Sequence, residues 1–248
     1  MKKSIYLFLP LLLAFGACQG QILKDLKKAA DKGRDAMGGN SSGSALSNEE
    51  IVDGLKTALK VGADSAVAIT SANNGFYKNE LIYIPFPEEA KQAKEYALKM
   101  GLDSQVEKFE ETMNRAAEEA AKEAAPIFVD AITSMTVRDG YDILKGEDDA
   151  ATNYLKSTTT AELTAKFRPV VERAIEKVEL TKYWNPIVTK YNATTTFSGN
   201  EKVDPDLTAY ITQRAIEGLF VYIEKEEKNI RDNPQARVTE ILQKVFGS

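Results

Sequence analysis

Histidine is absent from the 248 residues, and cysteine and tryptophan occur once each. Without an imidazole the chain has no Ser-His-Asp or Cys-His nucleophile system, no histidine-ligated zinc and no histidine-held haem. It also lacks the one side chain that titrates unperturbed between about pH 5 and pH 8. A single cysteine allows no internal disulfide, so packing must hold the fold. Long apolar runs are missing too: the longest, from Ile5 through Phe15, falls well short of the roughly 20 residues that span a bilayer. Positive charge is in deficit, with 32 Lys and Arg against 37 Asp and Glu for a net −5. Such a chain lacks the basic footprint that a phosphate backbone requires, which argues against a nucleic-acid partner. No Ser-x-x-Lys, P-loop, dinucleotide or calcium-loop pattern occurs, so no catalytic, metal or cofactor residue is assigned.

What is present begins with an address. Lys2 and Lys3 precede the short apolar run, and Gly16-Ala17 close it immediately before Cys18. This arrangement resembles the signal of a bacterial lipoprotein, although Phe15 stands where such signals usually carry Leu. Residues 1–17 are then removed, Cys18 carries the lipid, and the protein faces the periplasm from a membrane, the outer one in the first instance. Cleavage takes away two lysines and no acid, moving the charge from −5 to −7. Residues 18–46 form the tether. Ile22, Leu23, Leu26, Ala30, Gly33 and Met37 recur at helical spacing among lysines, either to lie on the membrane surface or to remain solvated. Gly38 to Ser44 is a flexible linker. Its Gly39-Asn40-Ser41-Ser42-Gly43 matches the nucleophile-elbow pattern, but it lacks a flanking strand, a flanking helix and any histidine.

Residues 47–248 read as one all-α, bundle-like domain. Ser47 and Glu50 form a capping box, with Leu46 and Ile51 placed to staple across it. Ile51, Leu55, Leu59, Gly62, Ala66 and Ile69 supply the stripe of the first helix, which Asn73-Asn74-Gly75 breaks. Leu81 to Pro87 reads as an extended segment wrapped over helices. A second helix spans about Pro87 to Met100, with Gly101 at its C-terminal cap. The longest element is an alanine-rich central helix from about Ser104 to Met135, with a kink or break at Pro126. Short helices are expected near Val137 to Leu144 and Asp148 to Lys156. Thr159 and Glu162 cap a further one, bent at Pro169. Asp204-Pro205-Asp206 starts a helix that runs to about Asp232, and Asn233-Pro234 starts a last one.

Two clusters could carry chemistry. Glu107, Glu110, Glu111, Glu118, Glu119 and Glu123 fall opposite the Val106 to Ala124 apolar stripe. They read as a solvated face laced by i,i+4 pairs, and in the sharper alternative as a metal site or a carboxylate pair. Tyr183-Trp184 joins the only tryptophan to a second aromatic beside an Asn-Pro. It reads as an anchor onto the core or, with Phe76, Tyr77 and Phe86, as the surface that meets a ligand or partner.

Met113-Asn114-Arg115-Ala116-Ala117-Glu118, Pro126 to Ile132, Met135 to Asp139, Ile143 to Gly146, Ala150 to Leu155, Lys182-Tyr183-Trp184, Val203 to Leu207 and Glu226 to Arg231 follow one another in a recognisable order. On these segments the chain resembles, from Leu46 to Gly247, the bacterial family called domain of unknown function 4197. The resemblance implies an exported helical domain and brings no activity, ligand or site residue with it. The leading functional expectation is a lipid-anchored periplasmic module that binds a protein partner or an apolar small molecule. The alternatives are a carboxylate- or metal-dependent hydrolase or lyase of the cell envelope and a purely structural envelope protein.

Overall fold

A capping box opens the domain: the Ser47 N–H donates to Glu50 Oε2 at 2.8 Å, and the Glu50 N–H donates to Ser47 Oγ at 3.2 Å. Two amides that a helix start would leave orphaned are thereby satisfied. A computed structural model of the chain describes residues 47–177, 185, 186, 188–193, 195, 202 and 207–232. The expectations for Cys18, the tether, Leu46, Tyr183, Trp184, Asp204-Pro205-Asp206 and the stretch from Asn233 onward lie outside the described residues. Among those described, every regular element is helical and none is a strand. None of these helices is long and apolar enough to cross a membrane.

The first helix, α1, is Asn48–Thr70. Its inner face is turned slightly from the expected stripe: Val52 and Val67 are buried, whereas Ile51 and Ile69 are only half-buried. Residues 71–87 then cross the bundle without regular structure, entered through Asn74 in the left-handed region (φ 67°). Ile82, Ile84 and Phe86 point into the core. This backbone has no strand partner, yet its polar groups are met by side chains. The Ile84 N–H donates to Asn114 Oδ1 at 2.8 Å, and Asn114 Nδ2 returns a bond to the Ile84 carbonyl at 2.9 Å. A fully buried Asn thus stands in for the neighbouring strand.

After a short 3-10 turn, α2 (Lys91–Lys99) ends at Gly101, whose φ of 73° suits a residue without a Cβ. The Leu102 N–H reaches the Ala97 carbonyl and the Gly101 N–H reaches the Leu98 carbonyl, both at 3.0 Å. These are the two bonds of a Schellman motif. The long central helix of the sequence reading is in fact two, α3 (Asp103–Ala121) and α4 (Ala124–Ser134), parted at Lys122 and Glu123. Pro126 has no N–H to offer Lys122, and its ring crowds that carbonyl, which accounts for the break. Val106, Phe109, Met113, Ala117, Ala120 and Ala124 are all at most 4% exposed. The small alanines let α3 lie close against its neighbours.

Next comes α5 (Val137–Lys145), opened by a second capping box, Thr136 with Asp139. Thr136 Oγ1 and the Thr136 N–H donate to Asp139 Oδ2 at 2.7 and 2.9 Å, and these bonds hold the carboxyl below its ordinary 3.8. A lowered folded value gives stability that is complete above the unfolded pKa and is lost as pH falls through the folded one. Asp139→Asn is therefore expected to be less stable than the parent at neutral pH, with a gap that closes as pH falls below 3.8. Urea unfolding at a series of pH values reads this directly; a gap that is constant with pH would count against the box.

The expected break at Thr159 does not occur. A single helix, α6, runs Ala150–Lys177 with Pro169 inside it. Thr159 is buried, and its hydroxyl donates to the Leu155 carbonyl at 2.6 Å. Ser157, Thr158, Thr160 and Thr164 likewise bond back to carbonyls three or four residues earlier. Their hydroxyls are satisfied within the helix, so none is drawn out to form a cap.

The last described helix, α7 (Leu207–Asp232), packs against α1, α3 and α6, while α4 packs on α1 and α6. Residues 71–87 also lie close against α7 at Gly218, where a Cβ would come within 2.6 Å of the Phe76 ring. Phe76, Phe109, Phe128 and Phe167 are the largest fully buried side chains.

Candidate functional site

Among the described residues, Phe76, Tyr77 and Phe86 do not form the aromatic surface expected from the sequence. Phe76 and Phe86 are core residues at 0% and 3% exposure, and this corrects their assignment to a ligand or partner surface. Residues 71–87 fold back over α3 and α7, so their apolar side chains cover the protein's own core. Phe76 sits over Gly218, and the Phe86 ring lies 4.7 Å from that of Phe109. Tyr77 is half-buried with the Arg115 guanidinium 5.0 Å from its ring centre, an internal cation–π contact. Tyr183 and Trp184 lie outside the described residues.

The acidic run on α3 is not uniformly solvated either. Glu118 is 6% exposed. Its Oε1 accepts the N–H groups of Phe76 and Tyr77, both at 3.1 Å, and its Oε2 accepts Arg115 Nη1 at 2.8 Å. About two turns back, Glu110 accepts Lys94 Nζ at 2.6 Å and the Tyr83 hydroxyl at 3.1 Å. Burial and the Glu110 charge together push the Tyr83 hydroxyl pKa upward. Glu119 pairs with Lys122, and Glu107 and Glu123 are exposed. Glu110, Glu111, Glu118 and Glu119 are each held by a base, with Arg115 serving both Glu111 and Glu118. Among the described residues no three of Asp, Glu, His and Cys converge where an ion could sit. Asn114, Arg115 and Glu118 act together as a staple that fastens residues 73–84 to α3.

An open groove lies elsewhere, along the seam between α6 and α7. These helices run antiparallel: Glu227 near the end of α7 binds the first turn of α6, and Lys156 Nζ lies 5.8 Å from the ring centre of Phe220. At equal rise this register sets Thr160 level with Ile216, Thr164 with Thr212, and Arg168 with Thr208. A groove of about 710 Å³ follows the seam. Its α6 rim is Lys156, Thr160, Thr164 and Arg168, four exposed residues spaced by four. The α7 rim includes Gln213, Glu217, Val221 and Glu224. On the floor are Thr212, Ile216 and Phe220, again spaced by four and only 3%, 6% and 4% exposed.

The groove has unlike ends. Glu224 and Lys156 border one, above the Phe220 ring; Arg168 and Thr212 border the other. Arg168 Nε donates to Glu172 at 3.1 Å, and Glu217 accepts from Gln213 and Arg214 at 2.9 and 3.0 Å. Thr212 Oγ1 is buried and has no hydrogen-bond partner, alone among buried side-chain polar atoms of the described residues. The expected helix end near Lys156, with a new cap at Thr159, conceals this groove, because it splits the four α6 rim residues between two elements. The signal that finds it is the pair of four-residue spacings, Lys156-Thr160-Thr164-Arg168 and Thr212-Ile216-Phe220, read as facing stripes.

A family model described as "Protein of unknown function (DUF4197)" matches residues 45–247. No curated protein and no solved structure matches the chain.

Proposed function

This chain belongs to the DUF4197 family, which carries no described activity, and we propose from its own geometry that it is a binding module whose ligand lies in the α6–α7 groove. In this reading a lipid on Cys18 holds the module at the membrane, the outer membrane in the first instance, with the domain facing the periplasm. The observation that carries the binding role is the groove itself, a space of about 710 Å³ with an apolar floor and a few polar rim groups. That volume falls in the range of small-molecule sites, about 300–1,000 Å³. A protein partner fits less well. The rim from Lys156 to Arg168 is about 18 Å long, and neighbouring helix axes lie about 8–10 Å apart, so the groove covers under roughly 200 Å². Stable protein interfaces bury about 800 Å² on each side.

Thr160 is an exposed rim residue at mid-groove, so Thr160→Trp fills the space without disturbing the core. A fluorescent apolar probe is expected to bind the native parent and to lose most of that binding in the variant, with the thermal midpoint unchanged. Equal binding by both proteins would refute the groove as the site. The anchor has its own test. Cys18→Ser is expected to abolish lipid labelling and release the protein from membrane fractions; labelling that persists places the anchor elsewhere.

A further inference from the structure

Granting that the groove is the binding site, its shape and its engaged polar groups specify the kind of molecule it takes. The floor is a single file of Thr212, Ile216 and Phe220, spaced by four along one face of α7. Along the rims, hydrogen-bonding groups are already engaged within the protein. Thr160 and Thr164 donate to the Lys156 and Thr160 carbonyls at 2.6 and 2.8 Å, and Gln213 donates to Glu217 at 2.9 Å. Arg168 Nε donates to Glu172, and Lys156 Nζ lies over the Phe220 ring. Thr212 Oγ1 has no partner, but it is itself buried and so is closed to a molecule lying on the floor. A ligand that depends on directional hydrogen bonds would have to break internal ones, whereas apolar contact with Ile216 and Phe220 costs none of them. Length then narrows the choice among apolar molecules. The rim from Lys156 to Arg168 is about 18 Å long. A bilayer core of about 30 Å gives the chains of each leaflet about 15 Å, so the groove has the length of one lipid chain.

We propose that the groove seats the alkyl chain of a single-chain lipid, extended over Thr212, Ile216 and Phe220, with its head group out in water. The chain replaces water over a floor whose exposed atoms are chiefly carbon, which supplies the affinity and makes it scale with the number of methylenes covered. A seam between helix axes about 8–10 Å apart has room for one extended chain in file and not for two side by side. A two-chain lipid would leave its second chain in water, so a single-chain molecule is the better occupant.

The test is calorimetric titration of the full chain with octyl, decyl and dodecyl maltoside, each below the concentration at which it forms micelles, and with progesterone, a rigid fused-ring molecule. The maltosides share one uncharged head and differ only in chain length. They are expected to bind at one site and to tighten about two- to fourfold with each added methylene: burying a whole CH2 is worth about fourfold, and the groove leaves one side of the chain open. Progesterone is expected to bind more weakly than dodecyl maltoside. Thr160→Trp is expected to lose the whole series, and Thr212→Val, which keeps the shape and removes the buried hydroxyl, to bind it as the parent does. If affinity is level across the chain lengths, if progesterone binds as tightly as dodecyl maltoside, or if only the fluorescent apolar probe binds, while Thr160→Trp still abolishes binding, the alkyl chain is overturned and the groove reading stands. A tenfold loss in Thr212→Val would show that a hydrogen bond reads the ligand, and would overturn recognition by the chain. If neither these molecules nor the fluorescent probe binds, or if all bind equally well to Thr160→Trp, both are overturned.

Discussion

Glu227→Ala is expected to lower the stability of the domain by about 3–5 kcal/mol, the range for leaving one member of a buried ion pair without its partner. Glu227 is 6% exposed and receives three bonds from the start of α6: the Ala151 N–H at 3.0 Å, the Thr152 N–H at 2.8 Å and the Thr152 hydroxyl at 2.8 Å. Helix starts leave four amides without partners and carry the positive end of the backbone dipole, so a carboxylate there satisfies both demands. On its other side Glu227 takes Arg231 Nη2 at 2.8 Å, and Arg231 also donates to the Ile143 carbonyl at the end of α5. One side chain of α7 thus ties together two other helices. Alanine strands two buried amides and a mostly buried guanidinium at once, whereas Glu227→Gln keeps an acceptor and is expected to lose less. Urea unfolding of the two variants measures the difference. A loss below about 1 kcal/mol for the alanine variant, typical of surface positions, would show that water replaces the carboxylate at no great cost.

Glu118→Ala is expected to cost about 3–5 kcal/mol as well, for a different local reason. Its Oε1 is shared by the consecutive amides of Phe76 and Tyr77, in a segment that has no strand neighbour to satisfy them. Each buried amide left bare costs about 1–3 kcal/mol, and the Arg115 guanidinium loses its closest carboxylate. Because the bonds lie between α3 and residues 76 and 77, hydrogen exchange is expected to speed up first in residues 71–87 and least in α1. Arg115→Ala should cost less, since Arg115 is 32% exposed and water can replace its contacts. Uniform exchange across the domain in the Glu118 variant would mean that the carboxylate supports the fold globally and does not act as a local staple.

These two acids also account for why the ordered segments of the sequence point to no chemistry. Met113 to Glu118, Ala150 to Leu155 and Glu226 to Arg231 are among the segments on which the family resemblance rests. Their polar members, Asn114, Arg115, Glu118, Thr152, Glu227 and Arg231, spend their hydrogen bonds inside the fold. In the sequence Glu118 is indistinguishable from Glu111 or Glu119, because helical phase puts all three on the side away from the alanine stripe. Only the arrival of residues 71–87 on that side buries Glu118 and leaves Glu119 in water.

Some features were decided within a few residues of themselves. The Ser47–Glu50 capping box, the left-handed Gly101 at the end of α2 and the break before Pro126 all depend on local hydrogen bonding and backbone sterics. These act over one or two turns and so are written in the chain itself. The all-helical class follows from the same short-range periodicity. What only the tertiary structure decided is where polar and aromatic side chains end up once elements meet. Thr159 had the makings of a cap, yet burial against the core kept its hydroxyl bonded to the Leu155 carbonyl and α6 continuous. Phe76 and Phe86 had the composition of an exposed patch, and the fold-back of their segment made them core. The groove depends on the antiparallel register of two helices whose described ends, Lys177 of α6 and Leu207 of α7, lie thirty positions apart in the chain. No local rule couples those distant stripes; packing does, because each helix buries its apolar face against the other and leaves the space between their rims open.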